Sequence, residues 1–267
     1  MSTAIERLIA AEELPSDYRE VAERYTGRPL IVGVNGAQGS GKTTLCRFLE
    51  ALMLEHNQRA VTLSLDDLYL TRAEREDLAA NGHPLFATRG VPGTHDVALG
   101  AAVLDELRAG RTANVPRFDK AADDRAPDTR TLDPVDVILF EGWCVGAVPQ
   151  PAGALREPVN RLEAEEDPDG TWRREVNRRL ATDYAELFGR IDLLVMLKVE
   201  NFEAVRANRR LQEEKLARAN PGGTAILDEA ALDRFLMHYE RLTRWMLEEM
   251  PGRADIVIGI GPDQRPI

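Results

Sequence analysis

Short apolar runs recur along this chain, and longer amphipathic stretches separate them. The runs are rich in β-branched residues and end in glycine, proline or polar residues, which is typical of strands buried on both faces of a parallel sheet. This pattern predicts strands at Pro29–Asn35, Ala60–Leu65, Asn114–Phe118, Val135–Glu141, Ile191–Val199 and Asp255–Ile260.

The stretches between these strands show the helical spacing of apolar residues. Helices are predicted at Ser16–Tyr25, Lys42–Glu55, Thr71–Ala80, Asp96–Leu107, Trp172–Phe188, Phe202–Ala219 and Asp228–Met250. Loops are predicted where charges, glycines and prolines interrupt every period, at Asn81–Thr94, Asp119–Asp133, Gly142–Asp169 and Asn220–Gly223. Strands that alternate with helices connect through right-handed crossovers, so the predicted fold class is α/β with a doubly wound parallel sheet.

The length and charge of the chain narrow the classes of function. Its 267 residues suit a helical extension over residues 1–28 and one α/β domain over residues 29–267. A formal net charge of -11 makes nucleic acid an unfavourable partner, because the phosphate backbone would repel the protein. No apolar run is long enough for a membrane span, and the acidic N-terminal residues do not fit a secretory signal, so we expect a cytoplasmic protein. Cys46 and Cys144 are expected to be small buried hydrophobes.

A glycine-rich loop carries the strongest functional signal. Residues 36–43 fit G-x-x-x-x-G-K-[ST], the phosphate-binding P-loop, between a predicted strand and a predicted helix. In such a loop, main-chain N–H groups and the helix N terminus hold phosphates, Lys42 reaches the β- and γ-phosphate oxygens, and the Thr43 hydroxyl ligates Mg²⁺. The predicted ligands are ATP and Mg²⁺, with contacts from Gly36, Ala37, Gln38, Gly39, Ser40, Gly41, Lys42, Thr43 and Thr44.

Acidic residues lie at the carboxyl ends of two predicted strands, where ligands of open α/β sheets bind. Glu141 is expected beside the metal ion. Asp66 is expected to orient an acceptor hydroxyl and to accept its proton. Adjacent residues of an extended segment point in opposite directions, so we expect only one of Asp66 and Asp67 to enter the site. The structural alternatives are a cap for the next turn and, for Glu141, a solvated strand end.

Arginines on the predicted helix Phe202–Ala219 form another candidate cluster. Arg209 and Arg210 lie three and four residues after Arg206, within a possible lid over about residues 200–227. Guanidinium groups on a closing lid would neutralise charge on a transferred phosphoryl group. Ordinary surface ion pairs with Glu213 and Glu214 are an equally good interpretation.

Loop residues are candidates for binding a small anion, which needs local positive charge in so acidic a chain. The loop cations are Arg89, Arg117, Lys120 and Arg125. Loop solubility is the alternative role for each of them. His95 is expected either to donate a hydrogen bond to the substrate or to belong to a helix cap.

Together these segments resemble the D-glycerate 3-kinase family, whose more distant relatives are uridine kinase, pantothenate kinase and phosphoribulokinase. The resemblance runs from about Leu30 to the last strand, and its motifs are residues 36–43, 64–71, 89–96, 116–120 with 124–125, 140–143 and 211–216. It implies a P-loop kinase with a helical lid that transfers the γ-phosphoryl group of ATP to a hydroxyl of a small organic acid, most plausibly D-glycerate. By this resemblance, Asp66 falls at the catalytic base and Glu141 at the acid near Mg²⁺.

Two departures from the family pattern affect the wall of the pocket. Leu68 stands where the family usually has an aromatic residue, and Cys144 stands where a bulkier apolar residue is usual. They bear on the choice of substrate more than on the reaction. Tyr69, Phe118 and Trp143 offer rings for stacking on a base, which leaves a nucleoside or pantothenate-like acceptor as an alternative. A P-loop switch acting on a protein partner is a further alternative, although its usual Asn-Lys-x-Asp motif does not occur in the sequence.

Lys42→Ala is expected to abolish phosphoryl transfer, because the substitution removes the ammonium group that contacts the β- and γ-phosphates. Loss of one such electrostatic contact costs about a hundredfold to a thousandfold in turnover. A coupled assay of ADP formation with the acceptor at saturation measures this loss. Near-normal turnover in the variant would refute the P-loop assignment.

Overall fold

A five-stranded parallel sheet forms the centre of the computed structural model, which describes residues 28–219 and 229–267. The described residues contain seven strands, five of which form this sheet. They are β1 (Leu30–Gly36), β2 (Ala60–Ser64), β3 (Ala113–Asp119), β4 (Asp124–Leu132), β5 (Val137–Gly142), β6 (Leu193–Val199) and β7 (Ile256–Ile260). The order in the central sheet is β2-β5-β1-β6-β7, with every neighbouring pair parallel, while β3 and β4 form a separate antiparallel hairpin. The predicted α/β class with a parallel sheet is confirmed.

Helices connect the strands. They are α1 (Lys42–Glu55), α2 (Arg72–Asn81), α3 (Val97–Arg108), α4 (Arg161–Glu166), α5 (Thr171–Ala181), α6 (Asp183–Phe188), α7 (Phe202–Ala219) and α8 (Glu229–Glu249). Short 3₁₀ turns occur at Leu65–Leu68, Pro84–Ala87, Ala152–Leu155 and Met250–Gly252. None of the helices in the two described ranges is both long enough and apolar enough to cross a membrane.

Two apolar cores lie on opposite faces of the sheet, as the alternation of side chains along β5 shows. Ile138 and Phe140 join a cluster with residues of α3, α6 and α8, whereas Val137 and Leu139 join one with residues of α1 and α7. Successive side chains of a strand point to opposite faces, so a strand buried on both sides reads as a continuous apolar run. This explains why the strands of the sheet were recognisable in the sequence.

The register of the sheet brings the strand ends together. Ser64 at the end of β2 and Val34 near the end of β1 both pair with Glu141 of β5. Behind this edge, the buried Asn35 side chain donates hydrogen bonds to the carbonyl groups of Trp143 and Val145, at 3.1 and 2.9 Å. The chain that leaves β5 is therefore anchored beside β1.

The hairpin is the principal correction to the sequence-based fold. The segment Asp119–Asp133 was predicted to be a surface loop, but residues 124–132 pair with β3, with an irregularity in register between Pro116 and Phe118. The prediction was wrong because most of β4 is exposed or half-buried, so its residues do not alternate between apolar and polar. An exposed two-stranded ribbon lacks the buried face that makes a strand recognisable.

Other boundaries also differ from the prediction. The single helix predicted over Trp172–Phe188 is divided at Thr182, whose backbone leaves the helical region (φ −116°, ψ −99°). The segment Gly142–Asp169, predicted to be irregular, contains the short helix α4. The predicted helix Ser16–Tyr25 and the break Asn220–Gly223 lie outside the described residues. Cys46 and Cys144 are free and buried, as expected.

Candidate active site

The P-loop lies between β1 and α1, as the sequence predicted, and its glycines permit its shape. Gly39 and Gly41 adopt positive φ angles of 75° and 91°, which residues with a side chain rarely adopt. No side chain caps α1 and no acidic residue lies in its first turn. The helix N terminus therefore presents main-chain N–H groups and a partial positive charge, the combination that binds phosphate.

The polar groups of the loop also fit a polyphosphate ligand. Within the described residues, the buried Oγ of Ser40 has no hydrogen-bond partner, and this hydroxyl can donate to a phosphate oxygen. Apart from Gly41 and the two residues next to it, no atom of the described residues lies within 4 Å of the position that a Cβ atom would occupy on Gly41. Lys42 Nζ donates a hydrogen bond to the Ala37 carbonyl at 3.2 Å, which holds the ammonium group across the loop. The loop thus combines free space with positive charge.

Glu141 connects three elements at the carboxyl edge of the sheet. Its Oε1 accepts hydrogen bonds from Ser64 Oγ at 3.0 Å and from Thr43 Oγ1 at 3.4 Å. The carboxylate is buried, and Thr43 beside it lies in the first turn of α1. One carboxylate and one hydroxyl are the kind of protein oxygens that Mg²⁺ takes when phosphates and water complete its shell. The donor set therefore fits the predicted metal position.

Asp66 and Asp67 lie in the 3₁₀ turn after β2, where Ser64 Oγ accepts a hydrogen bond from the Asp66 N–H. Asp66 forms an ion pair with Lys120 at 2.6 Å. Asp67 instead accepts a hydrogen bond from the main-chain N–H of Phe118, at 3.3 Å. The two carboxylates therefore have different partners. The segment is a 3₁₀ turn and not an extended strand, so the alternation of side chains along a strand was the wrong reason to expect this.

Charge separates the two carboxylates further. Burial disfavours ionisation of Asp66, but the positive charges of Lys120 and Lys42 outweigh this effect and lower its pKa. The pKa of Asp67 is raised, chiefly by burial. Of the two carboxylates, Asp66 is therefore the one whose pKa is lowered both by Lys120 of the hairpin and by Lys42 of the P-loop.

The hairpin of β3 and β4 supplies other cations. Arg125 donates a hydrogen bond to the Tyr69 carbonyl at 2.8 Å and pairs with Asp96 at 3.2 Å. Arg117 forms an exposed ion pair with Asp128, at 2.7 Å, on the hairpin itself. The structure therefore brings Lys120 and Arg125 to the end of β2, while the contact of Arg117 lies within the hairpin.

Asp123, at the hairpin tip, unites two arginines that come from different segments. It pairs with Arg89 and, at 3.0 Å, with the fully buried Arg75. Both guanidinium groups also lie over the ring of Phe118, at 5.4 Å for Arg89 and 5.9 Å for Arg75. This cluster of cations on an aromatic ring borders the turn that carries Asp66.

His95 is enclosed by aromatic side chains. Its ring stacks on Tyr69, with centroids 4.5 Å apart, and its Nδ1 lies 2.6 Å from the hydroxyl of Tyr184. Burial lowers its pKa to about 3, so the imidazole is neutral at physiological pH. The Asp96 side chain caps α3 by accepting a hydrogen bond from the Leu99 N–H, so the helix cap belongs to Asp96.

The three candidate lid arginines all face α8. Arg206 pairs with Asp233 at 3.1 Å, and Arg210 pairs with Glu229 at 2.8 Å. Arg209 lies over the Phe235 ring at 6.0 Å. These contacts join α7 to α8. Arg206 and Arg210 thus form surface ion pairs, as in the structural interpretation, and the partners seen here are on α8. Their catalytic role stays a prediction, and residues 220–228 of the predicted lid lie outside the described residues.

Several residues of the site had no signal in the sequence. Arg75, Asp123 and Tyr184 lie in a helix or at a predicted loop, and no motif marks them. Ser64 was recognisable in principle, because it ends a strand beside Asp66. Trp143, considered for base stacking, is buried and donates a hydrogen bond to the Gly90 carbonyl at 2.9 Å, so it belongs to the core.

Comparison with known proteins agrees with this geometry. Residues 31–150 match the phosphoribulokinase/uridine kinase family. An uncharacterized kinase of Schizosaccharomyces pombe is 36% identical over 83% of this chain and 82% of its own length. The chloroplastic D-glycerate 3-kinase of Arabidopsis thaliana is 31% identical over 90% of this chain, which spans about half (54%) of that protein. The structure of D-glycerate 3-kinase from Cryptococcus neoformans superposes with a TM-score of 0.76, at 25% identity, over 94% of both chains.

The fold and the phosphate-binding loop define a P-loop kinase of small molecules, a phosphotransferase with an alcohol group as acceptor. The chain belongs to the phosphoribulokinase/uridine kinase family, and D-glycerate 3-kinases are among its homologues in sequence and in structure.

Asp66→Asn is expected to lower turnover by about a hundredfold to ten-thousandfold, the usual range for loss of a general base. The amide cannot accept the proton of the acceptor hydroxyl, whereas the P-loop stays intact, so ATP binding should change little. Asp67→Asn is the matched control, because its amide oxygen can still accept from the Phe118 N–H. Steady-state kinetics of both variants tests this, and a severe loss in Asp67→Asn with Asp66→Asn unaffected would move the base by one residue.

Lys120→Ala is expected to shift the acidic limb of the pH profile of kcat/KM to higher pH. Lys120 lowers the pKa of Asp66, so without it the carboxylate becomes protonated, and inactive as a base, at a higher pH. Arg117→Ala removes a cation from the same hairpin whose partner is Asp128, and its limb should stay in place. If the acidic limb did not move in Lys120→Ala, the group whose protonation limits the reaction at low pH would not be Asp66.

Proposed function

We propose that this protein is an ATP- and Mg²⁺-dependent kinase that phosphorylates a hydroxyl group of a small organic acid, with D-glycerate as the acceptor. The observation that carries the proposal is the position of Asp66. Its carboxylate pairs with Lys120 of the hairpin, and its pKa is lowered by Lys120 and by the P-loop Lys42. One carboxylate thereby connects the phosphate-binding loop with a cluster of cations.

The nucleotide side of the proposal rests on residues 36–44 and on Glu141. The P-loop N–H groups and Lys42 would hold the β- and γ-phosphates, and Thr43 with Glu141 would hold the metal ion. Bound Mg²⁺ neutralises charge on the phosphate oxygens and orients them for displacement. Ser64 orients Glu141 by donating a hydrogen bond to it.

The acceptor side rests on the cations around the turn after β2, each of which is held by a neighbouring carboxylate. Arg89, Lys120 and Arg125 come from two loops and converge near Tyr69 and Phe118. Guanidinium groups match a carboxylate in geometry and charge, so an organic acid suits this wall better than an uncharged sugar or nucleoside. The names of the Arabidopsis and Cryptococcus relatives make D-glycerate the first acid to test.

In the proposed reaction, Asp66 accepts the proton as the acceptor hydroxyl oxygen forms a bond to the γ-phosphorus. The bond between this phosphorus and the bridging oxygen to the β-phosphate breaks, and ADP leaves. Lys42 stabilises the charge that develops on the phosphoryl oxygens. Asp66 is suited to this role because its lowered pKa keeps it ionised.

The remaining expectations about partners and location stay predictions. A small-molecule substrate follows from the kinase family, whereas the exclusion of nucleic acid rests on the net charge of -11. The cytoplasm is the expected location, although the name of the Arabidopsis relative specifies the chloroplast.

A panel of acceptors with ATP and Mg²⁺ tests the proposal. D-glycerate should be phosphorylated in preference to L-glycerate, glycerol, uridine and pantothenate, and ³¹P NMR of the product identifies which hydroxyl carries the phosphate. Glycerol is the matched control, because it has the hydroxyl groups but lacks the carboxylate that the arginines would bind. Preference for glycerol or uridine over every acid would reject an acid kinase.

A further inference from the structure

We propose that Tyr184 is a positioning residue that fixes the neutral His95 imidazole in the tautomer with its proton on Nε2, so that this N–H donates a hydrogen bond to an oxygen of the acceptor. This inference rests on the proposed function only for the identity of that acceptor. Tyr184 lies on α6, far in sequence from every motif of the site.

The hydrogen bonds around Tyr184 determine where the protons lie. The main-chain N–H of Gly93 donates to the Tyr184 hydroxyl oxygen at 3.0 Å. Gly93 presents this N–H from a backbone with φ of 108°, a conformation suited to glycine. The second contact of the hydroxyl is His95 Nδ1, at 2.6 Å. Tyr184 is fully buried, so its own O–H needs an acceptor, and Nδ1 is the one beside it.

The opposite tautomer satisfies fewer groups. If Nδ1 carried the proton and donated to Tyr184, the tyrosine O–H would lose the acceptor it has and the Nε2 lone pair would also lack a donor. With the proton on Nε2, the Tyr184 hydroxyl both donates and accepts, and one N–H is left over. Burial also raises the pKa of Tyr184 well above its ordinary range, so the phenol keeps the proton that it donates.

The group left over points to a ligand. In the described residues, His95 Nε2 is buried and has no hydrogen-bond partner. The ring that carries it stacks on Tyr69, at the end of the turn that holds Asp66. Tyr69 follows this turn directly, so the chain itself connects the stacked pair of rings with the proposed base. An acceptor oxygen close to Asp66 would supply the partner that Nε2–H lacks.

A positioning role also explains why a histidine is buried here. The imidazole cannot become charged at physiological pH, since burial lowers its pKa to about 3. It therefore acts neither as a general acid nor as a cation for the carboxylate. A neutral donor of fixed direction can select an oxygen by its position and leave the proton transfer to Asp66.

Nitrogen-15 NMR of the imidazole side chains at pH 7 tests the tautomer directly. The wild-type protein should show His95 with an unprotonated Nδ1 and a protonated Nε2. Tyr184→Phe should lose this preference and give a mixture of tautomers. Tyr239→Phe is the matched control, because it also removes one buried phenol hydroxyl, but that hydroxyl donates to the Arg89 carbonyl and does not contact His95. Its His95 spectrum should match that of the wild type.

Steady-state kinetics tests the contact with the acceptor. Tyr184→Phe should raise the KM for the acid about tenfold, the effect of one hydrogen bond, and leave the KM for ATP unchanged. His95→Gln keeps an amide N–H near the Nε2 position and should retain more activity than His95→Asn. In the His95→Gln background, Tyr184→Phe should have no further effect on the KM for the acid.

The outcomes separate this inference from the proposed function. A wild-type spectrum with the proton on Nδ1, or a Tyr184→Phe spectrum identical to that of the wild type, would overturn the inference whatever the acceptor is. The wild-type spectrum needs no variant, so the test holds even if Tyr184→Phe fails to fold. Equal rises in the KM for the acid and for ATP would likewise overturn it. Failure of every acid in the acceptor panel would reject the proposed function and leave the tautomer assignment standing.

Discussion

The parallel register of β1, β5 and β2 is the constraint on which the site depends. Glu141 of β5 makes the hydrogen bonds that this register allows. This carboxylate lies near the carboxyl end of β5 and accepts hydrogen bonds from Thr43, in the first turn of α1, and from Ser64, which ends β2. Ser64 in turn caps the turn that presents Asp66. One buried acid thus ties the phosphate-binding loop to the proposed base, so a shift of either strand by one residue would separate the two halves of the site.

The charges on the acceptor side are balanced. Each loop cation that reaches this region has an acidic partner of its own. Lys120 pairs with Asp66, Arg125 with Asp96, and Arg89 with Asp123. In a chain with a net charge of -11, such pairs hold the cations in place. Ion pairs as open to water as that of Lys120 contribute only about 0–1 kcal/mol, so they can exchange partners at little cost. The wall is therefore ordered and still able to accept an anion.

The sequence predicted the sheet and the P-loop because both depend on local patterns. Buried parallel strands read as apolar runs, and the P-loop motif occupies consecutive residues. The hairpin was missed because β4 has no buried face to impose a period. The partners of Asp66 and His95 were missed for another reason. Lys120 and Tyr184 reach them across long stretches of chain, and only the tertiary structure decides which polar group meets which.

The hairpin of β3 and β4 is separate from the central sheet but borders the acceptor side of the site. It forms its own two-stranded sheet, buries Val115 and Leu132 in the core, and meets the turn after β2 through Phe118 and Lys120. The nucleotide-binding elements are built entirely from the central sheet and the loops that follow it. A change in the length of this hairpin would therefore move the cations near Asp66 and leave the P-loop in place. The two parts meet at Asp66, because this proposed base pairs with Lys120 of the hairpin.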